Sequence, residues 1–202
     1  AFYLFKIRLQ PENFKSVSIL KPLKGLDDRL EENLESFFKL DYPEFELLFG
    51  IADKEDAAIP LVKKLQKKYS HISSKLVVNN HRIGLNPKIN TLFNLFPTAK
   101  FDYLLISDSN VRVNLEYLQN LMSTLNLPHT GMVTSAIRGM GANKPGSIFE
   151  NLHLNAFITP SVFAVKNLIN LPISIGKSML FPRDTLEKIG GFSAFRDILA
   201  ED

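Results

Sequence analysis

The 202 residues are 45% apolar and 22% charged, the balance of a globular chain long enough for one domain with its own core. A net charge of +3 with no long basic run leaves no electrostatic footprint for nucleic acid. With no cysteine, disulfides and thiolate chemistry are excluded, and a zinc site would have only His and carboxylates to draw on.

The chain opens on five apolar residues, Ala1 to Phe5, followed by Lys6 and Arg8, without signal-peptide architecture. Two readings stand side by side. One is an ordinary N-terminal strand; the other is the tail of a membrane helix whose basic flank marks its cytosolic end. No segment reaches the roughly 18 apolar residues that cross a bilayer. Residues 1–13 are therefore set apart as a linker or membrane stub, and residues 14–202 as one domain. The abrupt close on "AFRDILAED" suggests a fragment of something longer.

"VSILKPL" (17–23) reads as a first strand. Leu26, Leu30, Leu34, Phe37 and Phe38 then recur at spacings of three and four, a helix whose start has the Asp28/Glu31 spacing of a capping box. A second strand is expected at 45–52, a second helix with a basic outer face at 58–69 and a third strand at 75–80. A short helix follows at 87–96 with Pro87 in its first turn. "DYLLIS" (102–107) is the fourth strand, 115–126 a helix and "GMVTSAI" (131–137) a fifth strand. After that the pattern loosens. A Gly-rich loop at 138–147 is of the kind used for lids. Residues 148–157 read as helical, 176–181 as a strand, and 183–192 as a short helix closed by Gly190 and Gly191. Such alternation predicts an α/β layered domain with a mostly parallel sheet flanked by helices.

In sheets of that kind, ligands bind beyond the carboxyl ends of the strands. Two acidic clusters fall there: Asp53 in "IADKED" and Asp108 in "ISDSN". Either could be an Asx turn or a helix cap. Asp108, however, follows a wholly apolar strand and is crowded by Ser107, Ser109 and Asn110. Hard divalent cations held together with phosphate take one or two carboxylates plus hydroxyls, carbonyls and water. Other motifs fail. "GKS" at 176–178 lacks the glycine five residues earlier that a phosphate-binding loop requires, since Leu171 stands there. No G-x-G-x-x-G follows the first strand, and no nucleophile elbow is present. His71, His81, His129 and His153 have no metal-ligand spacing and read as surface or packing residues.

"VSILKPLKGLD", parts of 31–53, "GLNPKIN", "LLISDSNVRV" and "LAED" together resemble, in order, the signatures of the ceramide glucosyltransferase family and its bacterial, hopanoid-associated relatives. These are lipid-directed inverting glycosyltransferases of the GT-A fold. The resemblance implies a UDP-sugar donor, a lipid acceptor, a divalent metal (Mn2+ or Mg2+) and a membrane-associated enzyme with its catalytic domain on the cytosolic face. It implies that Asp53 contacts the uridine part of the donor, that Asp108 holds the metal on the diphosphate, and that Asp202 is the general base. Asn110 stands where a second metal-binding carboxylate is usual. Lys88 in "NPK" is expected to meet the donor, and Lys21 and Lys24 are further candidates. A Q/R-x-x-R-W motif belongs downstream of the third aspartate in that family; these residues contain no Trp. The alternatives are a hopanoid-associated enzyme with another donor or acceptor, and a silent nucleotide-sugar-binding module, which Asn110 favours.

Overall fold

A computed structural model describes residues 14–141, 145–169, 171 and 173–198. Six strands form one sheet in the order β3-β2-β1-β4-β6-β5. β1 (Val17–Leu23) lies between β2 (Phe45–Ile51) and β4 (Tyr103–Ser107), parallel to both, and β3 (Ser74–Val78) continues the parallel set beyond β2. β6 (Ser178–Pro182) runs antiparallel to β4, and β5 (Val133–Thr134) antiparallel to β6. The mostly parallel sheet is thus realised, with the antiparallel pairs at one edge.

Both faces are covered, which is why β1, β2 and β4 read as nearly unbroken apolar runs. On one face Val17, Ile19 and Leu23 pack with Leu34 and Phe37 of α1 (Leu30–Phe38), Val62 and Leu65 of α2 (Ala58–Lys68) and Leu118 and Met122 of α4 (Tyr117–Leu125). On the other, Leu20, Leu104 and Ile106 meet Ile89, Leu92 and Leu95 of α3 (Pro87–Leu95). Each such leucine, fully buried, stabilises the fold by roughly 1.5–3 kcal/mol.

The helix after β1 starts later than its periodicity implies. Arg29, in a left-handed conformation (φ 57°), precedes Leu30 and no side chain caps the helix, so the Asp28/Glu31 capping box does not form. Leu26 is left exposed. The reason lies next door. The Leu30 amide donates to the Asp27 carbonyl while the Asp27 carboxylate takes the Ser109 hydroxyl, which holds this turn against the end of β4. β3 stops at Val78, short of the expected 80, and β5 shrinks to two residues, Val133 and Thr134 paired with Leu180 and Met179 of β6, with one further bond from the Ser135 amide to the Ser178 carbonyl.

Beyond β5 the chain is helical through α5 (Pro145–His153), a π-helical turn (Leu154–Ile158) and α6 (Thr159–Ile169), the last not anticipated by the sequence pattern. Pro145 opens α5 within the stretch expected to be loop; residues 142–144 lie outside the described residues. After β6, α7 (Arg183–Lys188) ends as expected at two glycines. The Gly191 amide reaches the Leu186 carbonyl (2.9 Å) and the Gly190 amide that of Glu187 (3.0 Å), a Schellman closure with Gly190 at φ 93°. Among the described residues, no helix is long and apolar enough to cross a membrane. The expected stub at residues 1–13 lies outside the described residues.

Candidate active site

From β1 the chain winds to β2 and β3 on one side, then returns to β4 on the other. That reversal opens a crevice above the carboxyl ends of β1 and β4, the place where doubly wound sheets bind ligands. A cleft of about 1440 Å3 occupies it. Its walls are the segments that follow β1, β2, β3 and β4, together with the start of α3.

Asp108 lines this cleft from the end of β4. β4 ends at Ser107, which is fully buried, and the chain turns out into the cleft at the next residue. The Asp108 carboxylate is about a quarter exposed and lies 3.0 Å from the Lys88 ammonium. Its own amide donates to the Lys177 carbonyl (3.3 Å). Asn110 faces the solvent, and its side-chain oxygen accepts from Lys177 (3.3 Å). Lys88 and Asp108 are thus paired, while Asn110 lines the same cleft on a different partner, Lys177.

The motif "GLNPKIN" explains how Lys88 is aimed. Asn86 is the N-cap, accepting from the amides of Lys88 (2.9 Å) and Ile89 (3.2 Å). Pro87 follows where a missing N–H costs nothing. Asn90, one turn on, takes the amides of Ile83 and Gly84 and donates to the Gly84 carbonyl, so the preceding loop is stapled to the helix it enters. Gly84 has no room for a side chain, because a Cβ there would meet the Arg196 carbonyl at 2.4 Å. The Asn86 amide group donates to the Ile198 carbonyl (2.6 Å), drawing residues 196–198 onto the cleft rim. Asp202 lies outside the described residues.

Asp53 follows β2 and lines the same cleft. Its carboxylate also accepts from the Glu55 amide (2.9 Å), so the Asx-turn reading holds as well, with the second oxygen left to the cleft. Asp56 was not among the expected residues. It accepts from the Gly25 amide (2.8 Å) and the Ala58 amide (2.8 Å), joining the loop after β1 to the start of α2. Gly25 meets it at φ 67°, a conformation that favours glycine. Lys177 was missed too; its only sequence signal was the discarded "GKS".

Lys24 lines the cleft as expected, but Lys21 does not. Strand alternation puts Lys21 on the face of Ile19 and Leu23, and it is completely buried. Its ammonium donates to the Asp108 carbonyl (2.7 Å) and the Ser107 hydroxyl (3.2 Å), 3.7 Å above the centre of the Phe37 ring. Burial lowers its pKa to about 7, and the nearby Asp108 charge opposes that fall. It cannot touch a molecule in the cleft.

Residues 3–202 match the family model of glycosyl transferase family 21. The chain belongs to that family. It is 31% identical over 195 residues to ceramide glucosyltransferase 3 of Caenorhabditis elegans, covering 96% of this chain and 42% of that one. The chain spans about two-fifths of the length of such curated relatives. Two solved structures share the fold. A mannosyltransferase of Pyrobaculum calidifontis, in complex with GDP-Man and Mn2+, superposes with a TM-score of 0.61 at 19% identity, over 92% of this chain and 50% of its own. Glucosyl-3-phosphoglycerate synthase of Mycobacterium tuberculosis, in complex with Mn2+, UDP and phosphoglyceric acid, does so at 0.55 and 13% identity, over 91% and 63%. The GT-A architecture expected from the sequence is the one this family 21 chain adopts.

Proposed function

We propose that the chain forms the donor-binding part of an inverting glycosyltransferase that moves glucose from UDP-glucose to the hydroxyl of a membrane lipid, ceramide. The observation that carries this reading is Asp108, set at the switch point in a large cleft with Lys88 on its carboxylate and Asp53 on the adjoining wall. The names of the family relatives support the sugar and the acceptor. The ligands of the two superposable enzymes support a nucleotide sugar with a divalent cation.

The donor set fits such a cation. Among the described residues no cluster of three or more His, Cys, Asp or Glu could cage a metal. One carboxylate, Asp108, and one amide oxygen, that of Asn110 two residues on, are instead the kind of short set that Mg2+ or Mn2+ would use with substrate phosphate and water completing its shell. A cation held there supplies positive charge to the diphosphate as the sugar leaves.

The residues divide the remaining work. Asp53 receives the uridine part of the donor through the oxygen its turn leaves open. Lys88 exchanges its partner, releasing Asp108 and donating to a diphosphate oxygen. Asp202 accepts the proton of the attacking hydroxyl; the chain reaches the cleft rim at Ile198, four residues before it. The acceptor oxygen bonds to the anomeric carbon as the bond to the diphosphate breaks, and one displacement turns an α-linked donor into a β-glycoside. A lipid acceptor requires the enzyme to work at a membrane surface, on the cytosolic side where UDP-sugar is supplied.

The test is transfer of labelled glucose to ceramide by the full-length protein. Asp108→Asn keeps the size and removes the charge; we expect at least a hundredfold loss of turnover with an unchanged melting temperature. Retention of most activity in the presence of Mn2+ would remove Asp108 from this role.

A further inference from the structure

We propose that Lys21 is a positioning residue for the donor site: from beneath the sheet it pins the Ser107–Asp108 strand end so that the Asp108 carboxylate points into the cleft. The inference rests on the reading above, in which Asp108 meets the cation and the diphosphate.

An ammonium at this position is physically expensive. Its neighbours on the same face of β1 are Val17, Ile19 and Leu23, and the register sets it opposite Phe49, so an apolar side chain would suit the surroundings better. Burying a charge costs free energy unless it is paired and hydrogen-bonded. Among the described residues no carboxylate forms an ion pair with Lys21 in exchange for this cost; the Asp108 charge acts on it only from nearby. Its contacts are one carbonyl, one hydroxyl and the face of one aromatic ring. What these partners share is location, since two of the three belong to the last residue of β4 and the first residue past it.

The geometry at that point needs a tether. Pairing between β1 and β4 runs from Val17 with Tyr103 to Leu20 with Ile106 and then stops. The carbonyl of Asp108 is thus beyond the parallel ladder, and Lys21 takes it at 2.7 Å. The opposite side of the same residue is held by the Lys177 carbonyl, which accepts its amide. With carbonyl and amide both fixed, the direction of the Asp108 side chain is set before any ligand arrives. Groups that orient a metal-binding carboxylate from outside commonly cost 10–100-fold in metal affinity when removed.

Lys21→Met keeps the length of the side chain and removes the charge. Calorimetric titration of UDP into the full-length protein, with Mn2+ and with EDTA, separates the two possible roles of Lys21. We expect affinity in Mn2+ to fall about tenfold, affinity in EDTA to stay unchanged, and the melting temperature to be equal or higher. A lower melting temperature with unchanged Mn2+-dependent affinity would make Lys21 merely structural and overturn the proposal. In an Asp108→Asn background the Lys21→Met change should have no further effect on UDP affinity; additive losses would also overturn it. If Lys21→Met does not fold, Ser107→Ala removes one of its partners at a residue with no access to the cleft, and should lower the Mn2+-dependent affinity alone; no change there would equally count against the proposal. Should Asp108→Asn by itself leave the Mn2+ dependence intact, the donor-site reading falls and this inference with it. A loss with Asp108→Asn but not with Lys21→Met overturns only the inference.

Discussion

The half of the molecule built on β1 to β4 and the half that follows α4 obey different rules. In the first, each helix presents one apolar stripe to the sheet. Leu34 and Phe37 of α1 and Leu92 and Leu95 of α3 are buried to within 1% of complete. In the second, α5 and α6 leave large apolar side chains in the open; Phe149 is 70% exposed and Leu168 83%. The contrast teaches that the helices on the donor side bury their apolar stripes against the sheet, whereas α5 and α6, among the described residues, do not, although β6 and α7 beyond them rejoin the core.

The sharpest way to test that contrast is to damage the finished half. Leu34 lies wholly inside the cluster shared by α1, α2 and the sheet. Leu34→Ala should cost about 2–5 kcal/mol, a transfer loss plus an unfilled cavity. Chemical denaturation measures it. A loss under 1 kcal/mol would mean that the first half is looser than its burial indicates.

A smaller effect is expected where the packing carries function. Gly50 in β2 faces α3, and a Cβ there would meet the Thr91 methyl at 2.6 Å and Leu95 at 2.8 Å. Gly50→Ala should cost about 1–3 kcal/mol as the helix shifts outward. Because α3 also carries Lys88, UDP affinity should fall alongside stability. Weakened stability with unaltered UDP binding would show that Lys88 is placed independently of how α3 packs.

The same contrast governs what could be read in the sequence. β1, β2 and β4 were legible because strands buried on both faces are apolar throughout, and α3 because Pro87 marks a first helical turn; the Asn86 cap that sets it up went unread. Asp108 was legible as a polar residue ending such a run. Lys21 was misassigned even though its signal was present: alternation with Ile19 and Leu23 points it away from the cleft. What hid it was the expectation that a lysine seeks water or a ligand. Asp27 and Asp56 escaped because their partners, Ser109 and Gly25, are distant in sequence. α6 escaped for another reason. A helix shows a 3.6-residue stripe only when one side faces a core and the other faces water. Residues 159–169 have apolar side chains without such a division, so periodicity had nothing to detect.

That last point gives the smallest predicted effect and the one most specific to the second half. If the apolar residues of α5 and α6 have no core to fill, replacing them should barely change the stability of the chain. Phe149→Ser and Leu168→Ser each remove a large side chain, a change that costs about 3–5 kcal/mol for a Phe in a packed core. On an exposed surface the effect is usually within about 0.5 kcal/mol. The expected result is an unchanged denaturation midpoint for both variants, with better solubility because less apolar surface faces water. The Leu34→Ala variant, measured alongside, supplies the scale. A loss above about 1 kcal/mol from either serine variant would show that these side chains already pack within the chain, and the two halves would then follow one rule.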